Sequence, residues 1–220
     1  MRSYKQYCAI AKALDVIGDR WNMLIVRELL LQGACRYTDL HDGLPGIATN
    51  LLAERLRDLE REGIVTREEA PPPIATTLFR LTPRGQELKT ILFELGRWGA
   101  PLMTEPAEHD AYRGRWLASL LLSDRTPDEP PVTIEFRTGE EAITVETREG
   151  SVHTHPGAAE KPDLIVTGSP QLLVGVVTGQ LKLATARARG LRTRGNAKIL
   201  SRLLPEPAGA EAAAARATPG

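Results

Sequence analysis

Cys8 is the side chain of this sequence best suited to covalent chemistry. It lies at the start of a predicted helix, close to Lys5 and Lys12, and both a helix N-terminus and nearby cations lower the pKa of a thiol. A thiol in that setting is a candidate redox sensor. The alternative, which we favour, is that Cys8 is a small apolar residue buried between two subunits.

Two histidines are the best candidates for metal ligands. His153 and His155 alternate with Val152 and Thr154, so both imidazoles lie on one face of a predicted strand. A metal site needs more ligands than two, and no Cys or third His lies nearby in the sequence. The sequence also lacks a nucleophile elbow, a Gly-rich phosphate loop and zinc-ligand spacing. We therefore expect no metal, no cofactor and no enzyme activity.

Residues 44–62 have the most informative pattern, in which a Pro45-Gly46 turn opens a short helix. Leu52, Leu56 and Leu59 recur at helical spacing and predict one buried stripe. The opposite face is small and hydrogen-bonding at its start and charged further on, with Thr49, Asn50, Ala53, Glu54 and Arg57. A helix that enters the major groove of DNA needs this profile, because its first residues approach the base edges closely.

The elements that must position this helix follow the winged helix-turn-helix order. They are helices over 7–17 and 21–31, a short helix capped by Thr38, strands at 63–68 and 76–81 around a Pro71–Pro73 loop tip, and a long helix from Pro83 to about Met103 capped by Thr82.

Short motifs along the first half of the chain occur in the order typical of one family. They are Ala13–Gly18, Trp21, Arg27–Leu30, Pro45–Ile47, Arg55–Glu60 and Leu81–Gly85. Through them, residues 7 to about 103 resemble the HxlR-type bacterial transcription regulators. The resemblance implies a homodimer that binds an inverted-repeat operator in double-stranded DNA through two copies of the helix within residues 44–62. It also implies that the first and long helices form the dimer interface; the long helix is apolar at Leu88, Ile91, Leu92, Leu95, Trp98 and Leu102.

The expected DNA contacts lie on this helix and just before it. They are Arg36, Thr38, Thr49, Asn50, Ala53, Glu54, Arg55 and Arg57. The alternative for the arginines is surface pairing with neighbouring acids such as Asp58 and Glu60. Two departures from the family weaken phosphate contacts: Ala48 replaces a frequent hydroxyl residue, and the wing tip at 73–75 has no basic residue.

Composition limits the class of protein. The 220 residues carry 28 Lys or Arg and 28 Asp or Glu, and residues 1–103 carry fourteen and thirteen, so DNA binding must depend on where the charges lie. Two cysteines are too few for a disulfide framework. No apolar run is long enough to span a membrane, and the first residues lack the apolar core of a signal peptide. We expect a cytoplasmic protein with no membrane partner.

The second half predicts a separate domain. After a linker at 104–111, the pattern predicts an antiparallel meander with one buried face, preceded by one helix and followed by several, and the chain as a whole is of the α+β class. The predicted elements are a helix over 113–123, strands near 132–137, 143–146, 152–155 and 164–166, helices from Ser169 to Ala188, an edge strand over 190–196 and a short helix over 197–204. Residues 205–220 are rich in Ala, Pro and Gly and are expected to be disordered.

This half also has a resemblance of its own. Through Pro162–Gly168, Gly179–Leu181, Ala188–Arg192 and Gly195–Asn196, residues 112–204 resemble a sterol carrier protein-like domain. The resemblance implies an apolar space for a hydrophobic molecule, and the inward-pointing residues are Trp116, Leu120, Phe136, Leu173 and Val177. The alternative is a solid core, because so small a domain needs most of its apolar residues for packing.

A basic run closes this half. It consists of five cations with no Asp or Glu between them: Arg187, Arg189, Arg192, Arg194 and Lys198. They suit an anionic head group, DNA or a solvated surface, and we favour the solvated surface.

These patterns together predict a homodimeric DNA-binding regulator, with the second domain sensing a hydrophobic small molecule. We expect repression of the regulated genes. Two alternatives remain: a redox-sensing regulator that uses Cys8, and a lipid-binding carrier whose winged helix docks a protein.

Overall fold

A computed structural model describes residues 3–70, 76–103, 110–121, 130–148 and 151–203. The chain divides into two compact units, Met1–Leu92 and Phe93–Gly220, and each is described by itself. The expected linker lies largely at residues outside the described ranges, as does the expected disordered tail, so both stay predictions.

The first unit consists of helices followed by a small sheet. In chain order its elements are α1 (Ala9–Ile17), α2 (Asn22–Gln32), β1 (Cys35–Arg36), α3 (Tyr37–Gly43), α4 (Thr49–Arg61), β2 (Val65–Glu69), β3 (Thr77–Leu81), α5 (Pro83–Gln86) and the start of α6 (Leu88–Gly99). This is the predicted winged helix-turn-helix order. The predicted loop tip at 71–73 lies outside the described residues.

One apolar core holds these elements together. The leucine stripe of α4 is confirmed, because Leu52, Leu56 and Leu59 are all at most 2% exposed. They pack in one cluster with Ile25 and Leu29 of α2. Burying one such side chain contributes roughly 1.5–3 kcal/mol, so the apolar face of α4 fixes which face is left for solvent.

The wing has a third strand that the sequence analysis missed. β3 pairs antiparallel with β2 and, on its other side, with β1, where Cys35 is opposite Phe79. Thr82 is confirmed as an N-cap: its hydroxyl accepts from the Gly85 amide at 3.1 Å and donates to the Gly63 carbonyl at 2.6 Å. The wing and the following helix are thereby joined at the base of β2.

Two helix boundaries differ from prediction. α3 begins at Tyr37 with Arg36 as its N-cap, so the predicted cap at Thr38 was wrong; Asp39 supports the true start by accepting the Arg36 amide at 3.0 Å. The predicted long helix is interrupted at Glu87 and ends in a 3-10 turn over Ala100–Leu102.

The second unit surrounds a five-stranded sheet. In chain order it contains the rest of α6, a 3-10 helix at Gly114–Leu120, β4 (Val132–Thr138), β5 (Glu141–Arg148), β6 (Ser151–Pro156), β7 (Leu164–Thr167), α7 (Pro170–Val177), α8 (Leu183–Ala188), β8 (Arg192–Gly195) and a 3-10 helix at Ala197–Arg202. The predicted α-helix over 113–123 is thus a 3-10 helix where described. Within the described ranges, no helix combines the length and apolar character needed to cross a membrane.

The predicted antiparallel meander was wrong in one pairing. The strand order is β6-β5-β4-β7-β8, and β7 pairs with β4 in parallel, with Ile134 opposite Leu164. Alternating apolar residues indicate a strand but not its direction, because side chains alternate in both kinds of sheet. The chain therefore returns from the β6 edge to the other side of β4.

The second face of this sheet is also partly covered, against the prediction of one buried face. Glu135 and Thr144 are fully buried there. The Ala159 amide donates to Glu135 at 3.1 Å, and the Thr144 hydroxyl donates to the Gly157 carbonyl at 2.9 Å. The segment between β6 and β7 thus lies across the polar face of the sheet.

Candidate nucleic-acid interface

The start of α4 is held in place by its neighbours. Gly46 adopts a φ of 87°, which suits the turn before the helix, and Ile47 behind it is buried. The Tyr37 hydroxyl of α3 donates to the Thr49 carbonyl. The first turn of α4 therefore has a fixed position relative to α3, as a reading helix requires.

The solvent face of α4 has the predicted polar profile. Thr49, Asn50, Glu54 and Arg57 are exposed, and Ala53 between them is half-buried. Small residues at the start leave room for close approach to a flat partner. An amide at position 50 can donate to and accept from one adenine edge, which is the pattern of specific major-groove contacts.

Arg57 is available for a phosphate. Its Nε donates to the Ala53 carbonyl at 3.2 Å, and no carboxylate of the described residues pairs with it. This hydrogen bond lays the side chain along the helix. The terminal guanidinium nitrogens then remain as donors for an anion.

Arg55 differs from its neighbours and does not fit the predicted role. It is 8% exposed, and its guanidinium pairs with Asp19, Glu54 and Asp58. Position 55 is three residues after Leu52 and four before Leu59, so it lies on the buried side of α4. We therefore remove Arg55 from the proposed DNA contacts: it joins α4 to the α1–α2 loop.

Ion pairing with carboxylates divides the other arginines of the first unit into two groups. Arg61 pairs with Asp58, Arg67 with Glu60, and Arg80 with Glu68. Arg36 is exposed at the start of α3 without a described carboxylate partner, and Thr38 beside it is exposed. Arg20 and Arg84, which the sequence analysis did not select, also have no carboxylate partner among the described residues. Ion pairing would have distinguished them, but it cannot be read from the sequence alone.

Cys8 is an exposed thiol rather than a buried residue of the single chain. It is the N-cap residue of α1, and the amides of Ala11 and Ile10 lower its pKa below the ordinary value. The thiolate is the reactive form, so a lowered pKa favours oxidation. Burial of Cys8 between two subunits stays a prediction.

Two helices expose large apolar side chains. On and before α1 these are Tyr7, Ile10 and Leu14, and on α6 and the turn after it they are Ile91, Leu95, Trp98 and Leu102. Trp98 is 73% exposed and Ile10 is 72% exposed. Such rows of exposed apolar side chains mark interaction surfaces.

The predicted ligand residues of the second unit fall into two groups. Phe136, Leu173 and Val177 are at most 2% exposed and belong to the interior beside the sheet. Trp116 and Leu120 of the 3-10 helix are half-buried. Leu120 packs against α6, where a Cβ built on Gly96 lies 3.3 Å from its Cδ2. Whether all five line one space stays a prediction.

The histidine pair does not assemble a larger ligand set. His155 Nε2 lies 3.5 Å from Glu146 Oε1 at a half-exposed position on the sheet. In the part of the chain that the structure describes, no three His, Cys, Asp or Glu side chains converge as metal ligands.

The fold of the first unit and the solvent-exposed face of α4 place this chain in the class of winged helix-turn-helix proteins. The model of the HxlR-like helix-turn-helix family matches residues 16–106. The HTH-type transcriptional regulator YvaP of Bacillus subtilis is 38% identical over 87 residues, which are 40% of this chain and 80% of YvaP. The chain therefore belongs to the HxlR-like helix-turn-helix family of bacterial transcription regulators.

Other similar proteins cover a comparable share of the chain. YodB of Bacillus subtilis is 33% identical over 96 residues, which are 44% of this chain and 84% of YodB. The structure of YodB in its reduced form is 31% identical and covers 47% of this chain and all of that chain, with a TM-score of 0.39. HypR, described as a redox regulator, is 29% identical and covers 43% of this chain and 92% of its own, with a TM-score of 0.40. The family model ends at residue 106, before the five-stranded sheet begins.

Proposed function

We propose that the protein is a homodimeric transcriptional repressor that reads an inverted-repeat operator through α4 of each subunit. The observation that carries this proposal is the contrast between the two faces of α4. Leu52, Leu56 and Leu59 are buried in the core, whereas Asn50 and Arg57, which pairs with no carboxylate of the described residues, are open to solvent. A helix built this way presents donors and acceptors to a groove at no cost to its own packing.

A DNA mobility shift with the region upstream of the chain's own gene tests this function. We expect Asn50→Ala to lose roughly 1–3 kcal/mol of discrimination for the operator. Arg57→Ala should weaken binding to all sequences evenly and lower the salt dependence, as loss of a phosphate contact does. Arg148→Ala removes an exposed cation from the second unit and serves as the charge-matched control.

The possible results separate the candidate functions. Operator affinity unchanged in both α4 variants, with a clear shift by the wild type, means that another face reads the DNA. No shift of any duplex by the wild type favours the alternative in which the winged helix docks a protein.

Dimerisation through the exposed rows of α1 and α6 forms part of the proposal. Ile91, Leu95 and Trp98 repeat at intervals of four and three residues, so they form one stripe on α6. A second copy of the same stripe is the natural cover for it, because a two-fold interface uses the same patch on both subunits.

The second unit supplies the proposed sensor, a sterol carrier-like domain that binds a hydrophobic small molecule. Its support is the burial of three apolar side chains, Phe136 of β4 and Leu173 and Val177 of α7, each at most 2% exposed. An effector must prefer one state of the dimer, since equal binding to both states shifts nothing.

A fluorescent apolar dye such as anilinonaphthalene sulfonate tests the sensor. We expect the dye to bind the wild type, to quench the fluorescence of Trp116 and to raise the melting temperature of the protein. Val177→Trp should fill the space and abolish binding at a small stability cost. Strong destabilisation by this substitution, roughly 1–3 kcal/mol or more, together with no dye binding by the wild type, indicates a solid core and rejects the sensor.

Cys8 supports a second candidate function, redox regulation. The thiol is exposed, and the Ala11 and Ile10 amides lower its pKa. Mild oxidation with hydrogen peroxide, which converts a thiolate to a sulfenic acid and is itself reduced to hydroxide, should then release the wild type from DNA, while Cys8→Ser stays bound. Cys35 is buried and is the matched control, because Cys35→Ser should leave the oxidation response intact. Equal release of wild type and Cys8→Ser rejects this candidate.

A further inference from the structure

Positive charge is concentrated in one stretch of the second unit. Between Leu164 and Leu203 the sequence has seven Lys or Arg residues and no Asp or Glu. Because the whole chain is neutral, all other residues together carry a net charge of minus seven. The neutral composition therefore conceals a strongly basic segment.

Several cations of this segment lie on or beside an edge strand of the sheet. β8 is the edge strand, paired only with β7 among the described strands. Arg192 and Arg194 are exposed on one face of β8, while Arg187 of α8 donates to the Thr193 hydroxyl. Exposed Arg189 precedes the strand, and exposed Lys198 follows it. We call Arg189, Arg192, Arg194 and Lys198 the basic edge.

Carboxylates do not neutralise the basic edge within the described part of the chain. None of its side chains forms an ion pair there, in contrast to Arg137 on the same sheet, which pairs with buried Glu135. Asp163 is the acid that directly precedes the segment, and its carboxylate accepts the Thr133 amide at 2.8 Å. Clustered like charges repel each other, so an anionic surface that covers them is bound favourably.

We propose that the basic edge binds the sugar-phosphate backbone of the DNA that flanks the operator. Regularly spaced phosphates match a group of unpaired guanidinium and ammonium groups, and such contacts hold DNA of any sequence. This inference rests on the proposed function, because α4 bound to its operator gives the tethered second unit a high effective concentration of duplex. The second unit then extends the footprint of the regulator beyond its specific half-sites.

Cations beside a strand edge have another effect, which predicts a different result. They oppose edge-to-edge pairing of sheets between molecules. If that were the only role of the basic edge, its removal would promote association of the protein and leave DNA affinity unchanged.

Fluorescence anisotropy with two duplexes distinguishes these roles. One duplex is the operator core found by footprinting, and the other adds one helical turn, about 10 base pairs, on each side. The full-length wild type is compared with R192Q/R194Q and with R148Q/K161Q, which removes two exposed cations from elsewhere in the same unit.

We expect the wild type and R148Q/K161Q to bind the longer duplex more tightly and with a steeper salt dependence. R192Q/R194Q should bind both duplexes equally, and its salt slope on the longer duplex should fall by roughly 0.9 for each lost phosphate contact. Its affinity for the core should equal that of the wild type.

Other results overturn the inference. If R192Q/R194Q keeps the wild-type preference for flanks, or associates while its DNA affinity is unchanged, the edge does not bind DNA. If R148Q/K161Q loses the preference for the longer duplex to the same extent, the preference depends on the net charge of the protein and not on the basic edge. Core binding without any flank effect in the wild type rejects this inference alone, whereas no binding of either duplex rejects the proposed function as well.

Discussion

Neighbouring arginines of α4 have opposite roles, and burial decides which is which. Arg55 is 8% exposed and meets three carboxylates, whereas Arg57 is exposed and meets none among the described residues. The two positions are only two residues apart, but on a helix this places them about 200° apart. The sequence contains this information only once the buried stripe is known.

Arg55→Ala should destabilise the first unit without altering the reading face directly. Its loss leaves Asp58, which is 12% exposed, beside Asp19 with one cation fewer. Breaking a fully buried pair costs roughly 3–5 kcal/mol, and because Asp19 and Glu54 are partly exposed we expect about 1–3 kcal/mol. Urea unfolding measures the change. Arg57→Ala is the control, and its free energy of unfolding is expected within about 0.5 kcal/mol of the wild-type value. Equal stabilities of the two variants would contradict a role of Arg55 in joining α4 to the α1–α2 loop.

Tyr112 predicts a loss of stability at high pH. Burial, and secondly the charge of Glu141, raises the pKa of Tyr112 to about 12. The unfolded chain releases this proton near the ordinary pKa of about 10, so the stability from Tyr112 is complete below that pH and is lost as pH rises toward 12. Tyr112→Phe should remove this part of the pH dependence. Stability curves for wild type and variant that stay parallel between these pH values would show that Tyr112 does not contribute.

At the scale of elements, one glycine fixes how the wing meets the helix after it. A Cβ built on Gly85 lies 2.2 Å from the Ile64 carbonyl oxygen, which belongs to the backbone and does not move easily. Gly85→Ala should therefore cost roughly 1–3 kcal/mol or more through overpacking. Gly99→Ala is the matched control, because no atom lies within 4 Å of its built Cβ and alanine favours helix. Equal thermal stability of the two variants would contradict this close contact.

Elements with a full apolar face were predictable from the sequence, and elements that depend on distant partners were not. The stripe of α4 and the cap at Thr82 follow from local spacing and local hydrogen bonds. The strand β1 has only two residues and exists because β3 pairs with it. The parallel pairing of β7 with β4 is likewise invisible in alternation, since it depends on the path of the chain between strands.

The candidate site shows the same limit. Exposure at Asn50 and Arg57 followed from the helical period, and both agree with the structure. Arg55 was among the expected DNA contacts although its spacing places it close to the leucine stripe, and its pairing with Asp19, 36 residues away, is not visible in the sequence. Arg20 and Arg84, which have no carboxylate partner among the described residues, were not selected, since pairing depends on residues far away in the sequence.

At the scale of the whole molecule, positive charge is concentrated in one segment of the second half of the chain. The segment from Leu164 to Leu203 has seven cations and no acid, while residues 1–103 carry fourteen cations and thirteen acids. The two proposals therefore place specific reading of DNA on α4 and sequence-independent attraction of DNA on the 164–203 segment. A regulator built this way combines modest phosphate contacts in its winged helix with additional ones elsewhere.

The apolar stripe of α6 carries the last prediction, on assembly. Trp98→Glu places a charge at the most exposed large residue of this stripe, which is 73% exposed in the single chain. In a two-fold interface the substitution occurs on both subunits, so two unpaired charges lose water when the dimer forms. We expect light scattering at micromolar concentration to show a dimer for the wild type and a monomer for Trp98→Glu, with operator affinity reduced because one reading helix is lost from each complex. Gln86→Glu adds the same charge at an exposed site on α5 and should stay dimeric. A wild-type monomer, or a dimeric Trp98→Glu variant with unchanged affinity for the operator, would show that α6 is not the dimer interface.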